Sequence, residues 1–285
     1  MKEKFKTGLF LFPTLFIYII VVVFPTVYSL FLSFCDWNGL GAKKFVGLKN
    51  YIQLFTSDSV FYTALRNNII WIILTICLTV LLLLALVLNR SFRGRIVYRA
   101  IFYFPYMLSW IIVGIIWKWM YNPNFGLINQ VLGMVGLDSL KGAYLSNTKM
   151  ALYCVFIAAL WQGLGQPMLY FLAGLQTLPN DILEAAKIDG AGKFNLFFRV
   201  IVPMLKETFV IVLATQIIAS MKVYDIVYVM TDGGPANSTQ TLATYMYNQT
   251  FTYSNLGVGS AIATVMVLIM MVVIVPYVAF STKDE

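Results

Sequence analysis

Two rows of hydrogen-bonding side chains stand inside otherwise apolar stretches. Gln162, Gln166 and Tyr170 recur at i, i+4 and i+8, and Gln216, Ser220 and Tyr224 repeat that spacing. On helices such a period puts each trio on one face. Amides and hydroxyls are neutral donors and acceptors; with Trp161 and Tyr170 as flat apolar platforms, they suit a hydroxyl-rich, uncharged ligand. The same groups can instead join neighbouring helices by hydrogen bonds. Catalytic chemistry is poorly supplied. The chain has no His, which removes His-based triads, His metal sites and imidazole proton relays. Asp225 is the single acidic residue in the interior of an apolar stretch, so no intramembrane carboxylate pair exists for acid–base work. The nearest phosphate-loop look-alike, GAGKF at 190–194, has Phe194 where Ser or Thr holds Mg²⁺ and Lys187 in place of the first Gly, and it follows no strand. ATP hydrolysis, if the process uses it, is therefore expected on another chain.

The elements that must position these residues follow from composition. Of 285 residues, 60% are hydrophobic and 11% charged, against about a quarter charged in soluble domains. Six apolar runs are long enough to cross a bilayer as helices: 8–32, 67–89, 100–120, 150–175, 207–230 and 256–280. Their continuity argues for helices rather than a barrel, whose strands alternate. The first run follows Lys2, Lys4 and Lys6 but exceeds a signal-peptide core, so it is read as retained. The net charge of +8 sits at helix ends rather than in a nucleic-acid groove. Twelve Lys and Arg fall on one side, namely residues 2, 4, 6, 90, 93, 95, 99, 187, 193, 199, 206 and 283; six fall on the other, namely 43, 44, 49, 66, 141 and 149. The positive-inside rule then places both termini in the cytoplasm. Lys118 between Trp117 and Trp119 reads as an interfacial anchor reaching outward. Lys222 and Asp225 read as an intrahelical ion pair or a gate contact. Cys35, Cys77 and Cys154 are odd in number and scattered, which argues against a disulfide framework.

Between runs four and five lies LEAAKIDGAGKFNLFFRVIVPM, 183–204. Asp181 and Glu184 have capping-box spacing, Gly190 and Gly192 permit a sharp turn, and Phe194, Phe197, Phe198, Ile201 and Leu205 form one stripe on a helix whose end or kink Pro203 marks. The expected shape is helix, glycine turn, amphipathic helix. It either rests on lipid or offers the low surface of Ala185, Ala186 and Gly190 to another protein. On the other side, TDGGPANSTQT (231–241) is too rich in turn residues for a helix and is expected to meet a partner protein or line the mouth of a pathway.

Glu184-Ala185-Ala186, Gly190 and the closing Val200-Ile201-Val202-Pro203 resemble the EAA loop of permease subunits in bacterial binding-protein-dependent ABC importers. Val200 and Val202 are conservative departures from that loop's usual Ile-x-Leu-Pro. FPTLFIYIIVVVFPTVYSLFLSF, FVGLKNY, LYFLAGLQTLPNDILEAAKIDGAG and YDIVYVMTDGGPANSTQTLATYMYNQTF extend the likeness across the chain, toward the maltose-type first permease of the sugar branch. The resemblance implies an all-α integral membrane protein with the type I ABC importer permease fold, a single transmembrane domain of six helices with an EAA coupling loop at about 179–205. It implies a second permease subunit, two ATPase subunits, a periplasmic or extracellular solute-binding protein and residence in the bacterial cytoplasmic (inner) membrane. Glu184, Ala185, Ala186, Asp189 and Gly190 become ATPase-coupling residues. No cofactor is expected on this chain, ATP and Mg belonging to the ATPase subunits, and no nucleic acid. A permease for another solute, such as glycerol phosphate, shares nearly all these motifs. An ion-coupled secondary carrier is disfavoured because no inverted repeat with matching broken helices is apparent.

Overall fold

A computed structural model describes residues 11–88 and 95–281, with the side chains of a few flanking helical residues left aside. Lys2, Lys4, Lys6, Arg90, Arg93 and Lys283, half of the expected cytoplasmic charge, lie outside the described residues, as do the ends of the first two apolar runs. The described chain is almost wholly helical, with one two-residue antiparallel ribbon, β1 (Cys35–Asp36) to β2 (Lys44–Phe45).

The chain divides into two compact units, 1–61 with 245–268 and 62–244 with 269–285. The first unit begins with α1 (Leu11–Leu32), whose apolar window is only 6% buried. A helix apolar all round and uncovered by its own chain needs hydrocarbon as its solvent. After the ribbon comes α2 (Lys49–Thr56), whose buried Asn50 donates to the carbonyls of Ser33 and Cys35 at 2.8 and 2.9 Å. Near the unit's other strand of chain, Tyr245 donates to Asp58 Oδ2 at 2.5 Å and accepts from Gln249 Nε2 at 2.8 Å. Burial, then the Asp58 carboxylate, raises the Tyr245 phenol above its ordinary value.

The second unit contains the breaks that shape the site. α3 (Ser59–Leu88) starts eight residues before the apolar run that announces it and carries most of its length into this unit. α4 (Arg95–Tyr103) runs into a 3₁₀ turn, Phe104–Met107, and the chain then bends by 106° into α5 (Trp110–Met120). The 100–120 run is therefore two helices. Pro105 opens the 3₁₀ turn, Leu108 and Ser109 are extended, and Ser109 Oγ caps α5 by accepting from Ile112 N–H at 3.3 Å, a start signal stronger than the apolar continuity. α6 (Leu127–Met134) follows. α7 (Ala151–Gly163) and α8 (Gly165–Thr177) meet at Leu164, because Pro167 cannot donate to the Gly163 carbonyl.

α9 (Asn180–Ile188) and α10 (193–204) form the expected hairpin. α11 (Lys206–Met221) breaks by 41° before α12 (Asp225–Thr231), so the 207–230 run is also interrupted. α13 (Leu242–Tyr247) and α14 (Leu256–Ser281) close the chain. Three described helices, α1, α3 and α14, are each long and apolar enough to cross a membrane, and the bent pairs raise the total to as many as six. Among the described residues of the second unit, one apolar core gathers around Trp71, Val113, Phe156 and Val227 and another around Leu83, Phe171, Leu183 and Phe197.

Candidate functional site: an uncharged cavity and an exposed hairpin

The breaks in the second unit surround a cavity. α3 supplies Trp71, Thr75 and Thr79, α8 supplies Gln166, and α11 supplies Gln216 and Ser220, while Tyr106 and Trp110 flank the break before α5. The volume open to the centres of water molecules is about 90 Å³, room for several waters at roughly 15 Å³ each. The Ser220 hydroxyl donates to the Gln216 carbonyl at 2.8 Å and stands 3.4 Å from Thr75 Oγ1. Among the described residues, no Asp, Glu, Lys or Arg lines the cavity. A charged guest would lose its hydration there without a counter-ion, whereas a neutral polyhydroxyl guest meets amides, hydroxyls and aromatic faces.

The two expected trios divide differently from their spacing. Gln166, Gln216 and Ser220 reach the cavity. Gln162 is 3% exposed and donates through Nε2 to the Leu108 carbonyl at 2.8 Å, so it satisfies the break before α5 rather than facing the cavity. Tyr170 lies one turn beyond Gln166, whose Nε2 is 3.4 Å from its hydroxyl, and it does not line the cavity. Tyr224 leaves the Gln216–Ser220 face altogether, because α11 ends at Met221 and Tyr224 adopts φ −131°, ψ −64°. Trp161 packs edge-on against Trp117, so the aromatic platforms are instead Trp71, Trp110 and Tyr106. Trp71, Thr75 and Thr79 repeat at i, i+4 and i+8 on α3, so the same spacing signal marks a third wall of the cavity. Lys222 and Asp225 form no ion pair; among the described residues the ion pair is Lys141–Asp138 at 2.5 Å. Lys118 is exposed and donates to the Val229 carbonyl at 3.3 Å.

The hairpin follows from local rules. Pro179, not Asp181, precedes the first turn of α9; no side chain caps it, and Asp181 sits within that turn, where a carboxylate favours the helix dipole. At the other end, Ala191 N–H bonds to Ala186 O at 3.0 Å and Gly190 N–H to Lys187 O at 3.1 Å, the paired bonds of a Schellman stop. Gly190 has φ +81° with nothing within 4 Å of a built Cβ, so backbone conformation and not crowding requires glycine. Gly192, at φ −64°, has no such requirement. In α10 a π turn over Leu196–Ile201 accommodates the missing donor of Pro203 and splits the expected stripe. Phe197, Ile201 and Leu205 are buried, while Phe194 and Phe198 are 65% and 57% exposed. Leu183 anchors α9 in the same core. Glu184, Ala185, Asp189 and Gly190 are left exposed and Ala186 half-buried.

The 231–241 segment is folded rather than open. Asp232, Gly233, Ala236 and Asn237 have positive φ, and the Gly234–Pro235 peptide is cis. Thr239, Gln240 and Thr241 are buried. Two neighbouring amides of α3 hold the segment: Asn67 Nδ2 donates to the Ser238 and Gln240 carbonyls, both at 2.8 Å, and Asn68 Oδ1 accepts from Leu242 N–H at 2.8 Å. Adjacent Asn residues opening an apolar run are the sequence signal of this contact, since buried amides need partners.

Apolar helices that break around an uncharged cavity, with a charged hairpin beside them, fit the class of membrane permeases. Residues 82–282 match the family described as binding-protein-dependent transport system inner membrane component, and the chain belongs to that family. A probable ABC transporter permease protein of Pyrococcus horikoshii is 38% identical over 97% of this chain and 96% of its own. A multiple sugar-binding transport system permease protein of Streptococcus mutans is 32% identical over 99% and 97%. The fold also matches a chain of a bacterial ABC transporter that imports the acidic polysaccharide alginate, with a TM-score of 0.84 at 18% identity over 99% of this chain and 96% of that one.

Proposed function

We propose that the chain is the permease subunit of an ATP-driven carbohydrate importer, crossing the membrane six times with both termini in the cytoplasm. The observation that carries the carbohydrate assignment is the cavity's lining: Thr75, Thr79, Gln166, Gln216 and Ser220 beside the rings of Trp71, Tyr106 and Trp110, set among apolar side chains and with no formal charge. Relatives named for starch degradation products in Thermoanaerobacterium thermosulfurigenes and for xylose and arabinose in Haloferax volcanii support the same substrate class. Gln166, Gln216 and Ser220 hold solute in this reading, with Thr75 as a further contact. Gln162, Tyr170 and Tyr224 act at a remove from it.

Energy enters through the α9–α10 hairpin. Glu184, Ala185, Ala186, Asp189 and Gly190 seat in a cleft of a partner ATPase subunit, which binds ATP and Mg; a second permease completes the pathway and a solute-binding protein delivers the sugar. The burial of Leu183 and Phe197 in one core supports a rigid lever. Motion imposed on the exposed turn reaches α8 and α11 through packed side chains. The test is reconstitution with candidate partner chains. Uptake that needs ATP, the ATPase chains and a loaded binding protein is the expected result. Uptake by the isolated chain down an ion gradient would overturn it.

A further inference from the structure

The break between α11 and α12 has no local cause. Residues 219–226 read ASMKVYDI, with neither Pro nor Gly, yet the helix stops at Met221 and resumes at Asp225. Sharp kinks need a cause in sequence or an inserted partner, and a break frees carbonyls that must find other donors when buried. Both freed carbonyls nearest the cavity are met from outside the helix. Asn68 Nδ2, on α3, donates to the Ser220 carbonyl at 2.8 Å; Thr241 Oγ1, in the folded outer segment, donates to the Val223 carbonyl at 2.8 Å. Asn68 and Thr241 are each 0% exposed, and Asn68 Oδ1 is tied to Leu242 N–H, one residue beyond Thr241. Ser220 and Val223 are themselves cavity-wall residues.

We propose that Asn68 and Thr241 are positioning residues of the pathway: together they hold the break in the fifth apolar run and so set where its polar wall, Gln216 and Ser220, stands. This rests on the reading of the cavity as the solute pathway. Neither residue touches the cavity. Each acts through a backbone carbonyl of a residue that does, and the short link from Thr241 to Asn68 makes the outer segment and α3 one clamp. Thr244 Oγ1, bonded to Gln240 Oε1 at 2.6 Å and accepting from Thr241 N–H at 2.8 Å, fixes the clamp's outer arm.

The test reads the wall's accessibility in the whole transporter without needing to know the solute. In a background with Cys35, Cys77 and Cys154 replaced by Ala, Gln216→Cys is introduced, the complex is assembled in nanodiscs, and its labelling rate by a small anionic methanethiosulfonate is measured. Thr241→Val, which keeps the shape and removes the donor, is expected to change that rate about tenfold, the scale of population shift that loss of one buried hydrogen bond allows. Thr241→Ser should restore it, and labelling of Thr148→Cys, at an exposed site, should not move. Asn68→Ala, which leaves room for water, should act in the same direction and serves where Thr241→Val does not assemble. Labelling of Cys at 216 that both substitutions leave within twofold of the parent overturns the clamp while leaving the pathway reading standing. No labelling at 216 in any nucleotide state of the parent overturns the pathway reading itself.

Discussion

Replacing Gly190 by Ala tests whether the hairpin's turn is what the motor grips. The residue sits at φ +81° with open space around a built Cβ, so the substitution adds no clash and its cost is confined to backbone. An L-residue in the left-handed region costs about 1–2 kcal/mol. The unfolded hairpin, already restricted by Ala, does not offset this where native φ is positive. If the free hairpin relaxes to another turn and must return to the native one on docking, apparent affinity falls by the fraction correctly turned. That gives roughly 5- to 30-fold weaker binding of the ATPase subunits. Asn, which tolerates the same region, should recover most of the loss. Gly192→Ala is the internal control: φ −64° suits any residue, and the change should stay within about 0.5 kcal/mol. The assay is the dissociation constant of the ATPase subunits from the assembled permease pair in nanodiscs, with solute-stimulated uptake measured in parallel. Equal effects of Gly190→Ala and Gly192→Ala, or a silent Gly190→Ala beside a damaging Gly192→Ala, would refute the reasoning from conformation.

Gln216→Leu and Gln166→Leu should each lower uptake about tenfold or more, since an unpaired polar guest pays its desolvation, while assembly and ATP turnover without solute persist; parallel uptake and ATPase assays separate the two. Gln162→Leu should instead act on folding, leaving the partly buried Leu108 carbonyl without its donor at a cost of about 1–3 kcal/mol, read as a lower melting temperature in detergent with the uptake of surviving protein little changed. Leu183→Ala removes the anchor of α9, 2% exposed, and should cost about 2–5 kcal/mol by the same measurement. For Tyr245, burial and Asp58 favour the protonated phenol in the fold. That stabilisation is complete below the unfolded value of about 10 and is lost as pH rises above it. Tyr245→Phe should flatten the alkaline limb of a stability–pH profile, and an unchanged limb would show that another group governs it.

Legibility tracked how local the determining interactions are. The Schellman stop at Gly190 and the anchoring of Leu183 and Phe197 depend on residues within one hairpin and its immediate core, and spacing announced their outline. The split of Phe194 and Phe198 from Phe197 and Ile201 did not show, because a π turn changes the period on which the stripe was counted. Apolar continuity marked the long helices but hid their interruptions. Pro105 with Ser109, and Pro167, were readable stop and start signals submerged in hydrophobic runs. Two cavity residues were placed by the i, i+4 rule on α11 because Gln216 and Ser220 precede the break; Tyr224 fell off it because it follows.

The break itself marks where sequence reading had no purchase, since nothing between Met221 and Asp225 forbids a helix. Its partners are Asn68 and Thr241, which lie 152 residues before Ser220 and 18 residues after Val223. A polar side chain in an apolar run is expensive unless paired, and that cost makes Asn67 and Asn68 informative: each had to have a distant acceptor before the acceptor could be named. Gln162 belongs with them rather than with Gln166 and Gln216, as its bond to Leu108 serves another break. The intramembrane amides of this chain thus fall into two kinds that spacing alone cannot separate. Asn67, Asn68 and Gln162 donate to backbone carbonyls that irregular chain leaves free. Gln166 and Gln216, half-buried at the cavity, keep polar capacity for a guest. The discriminating property is whether a side chain's donors are already committed to backbone. It predicts that substitutions in the first group act on the fold, through the broken backbone that each amide satisfies, and substitutions in the second change what the pathway holds.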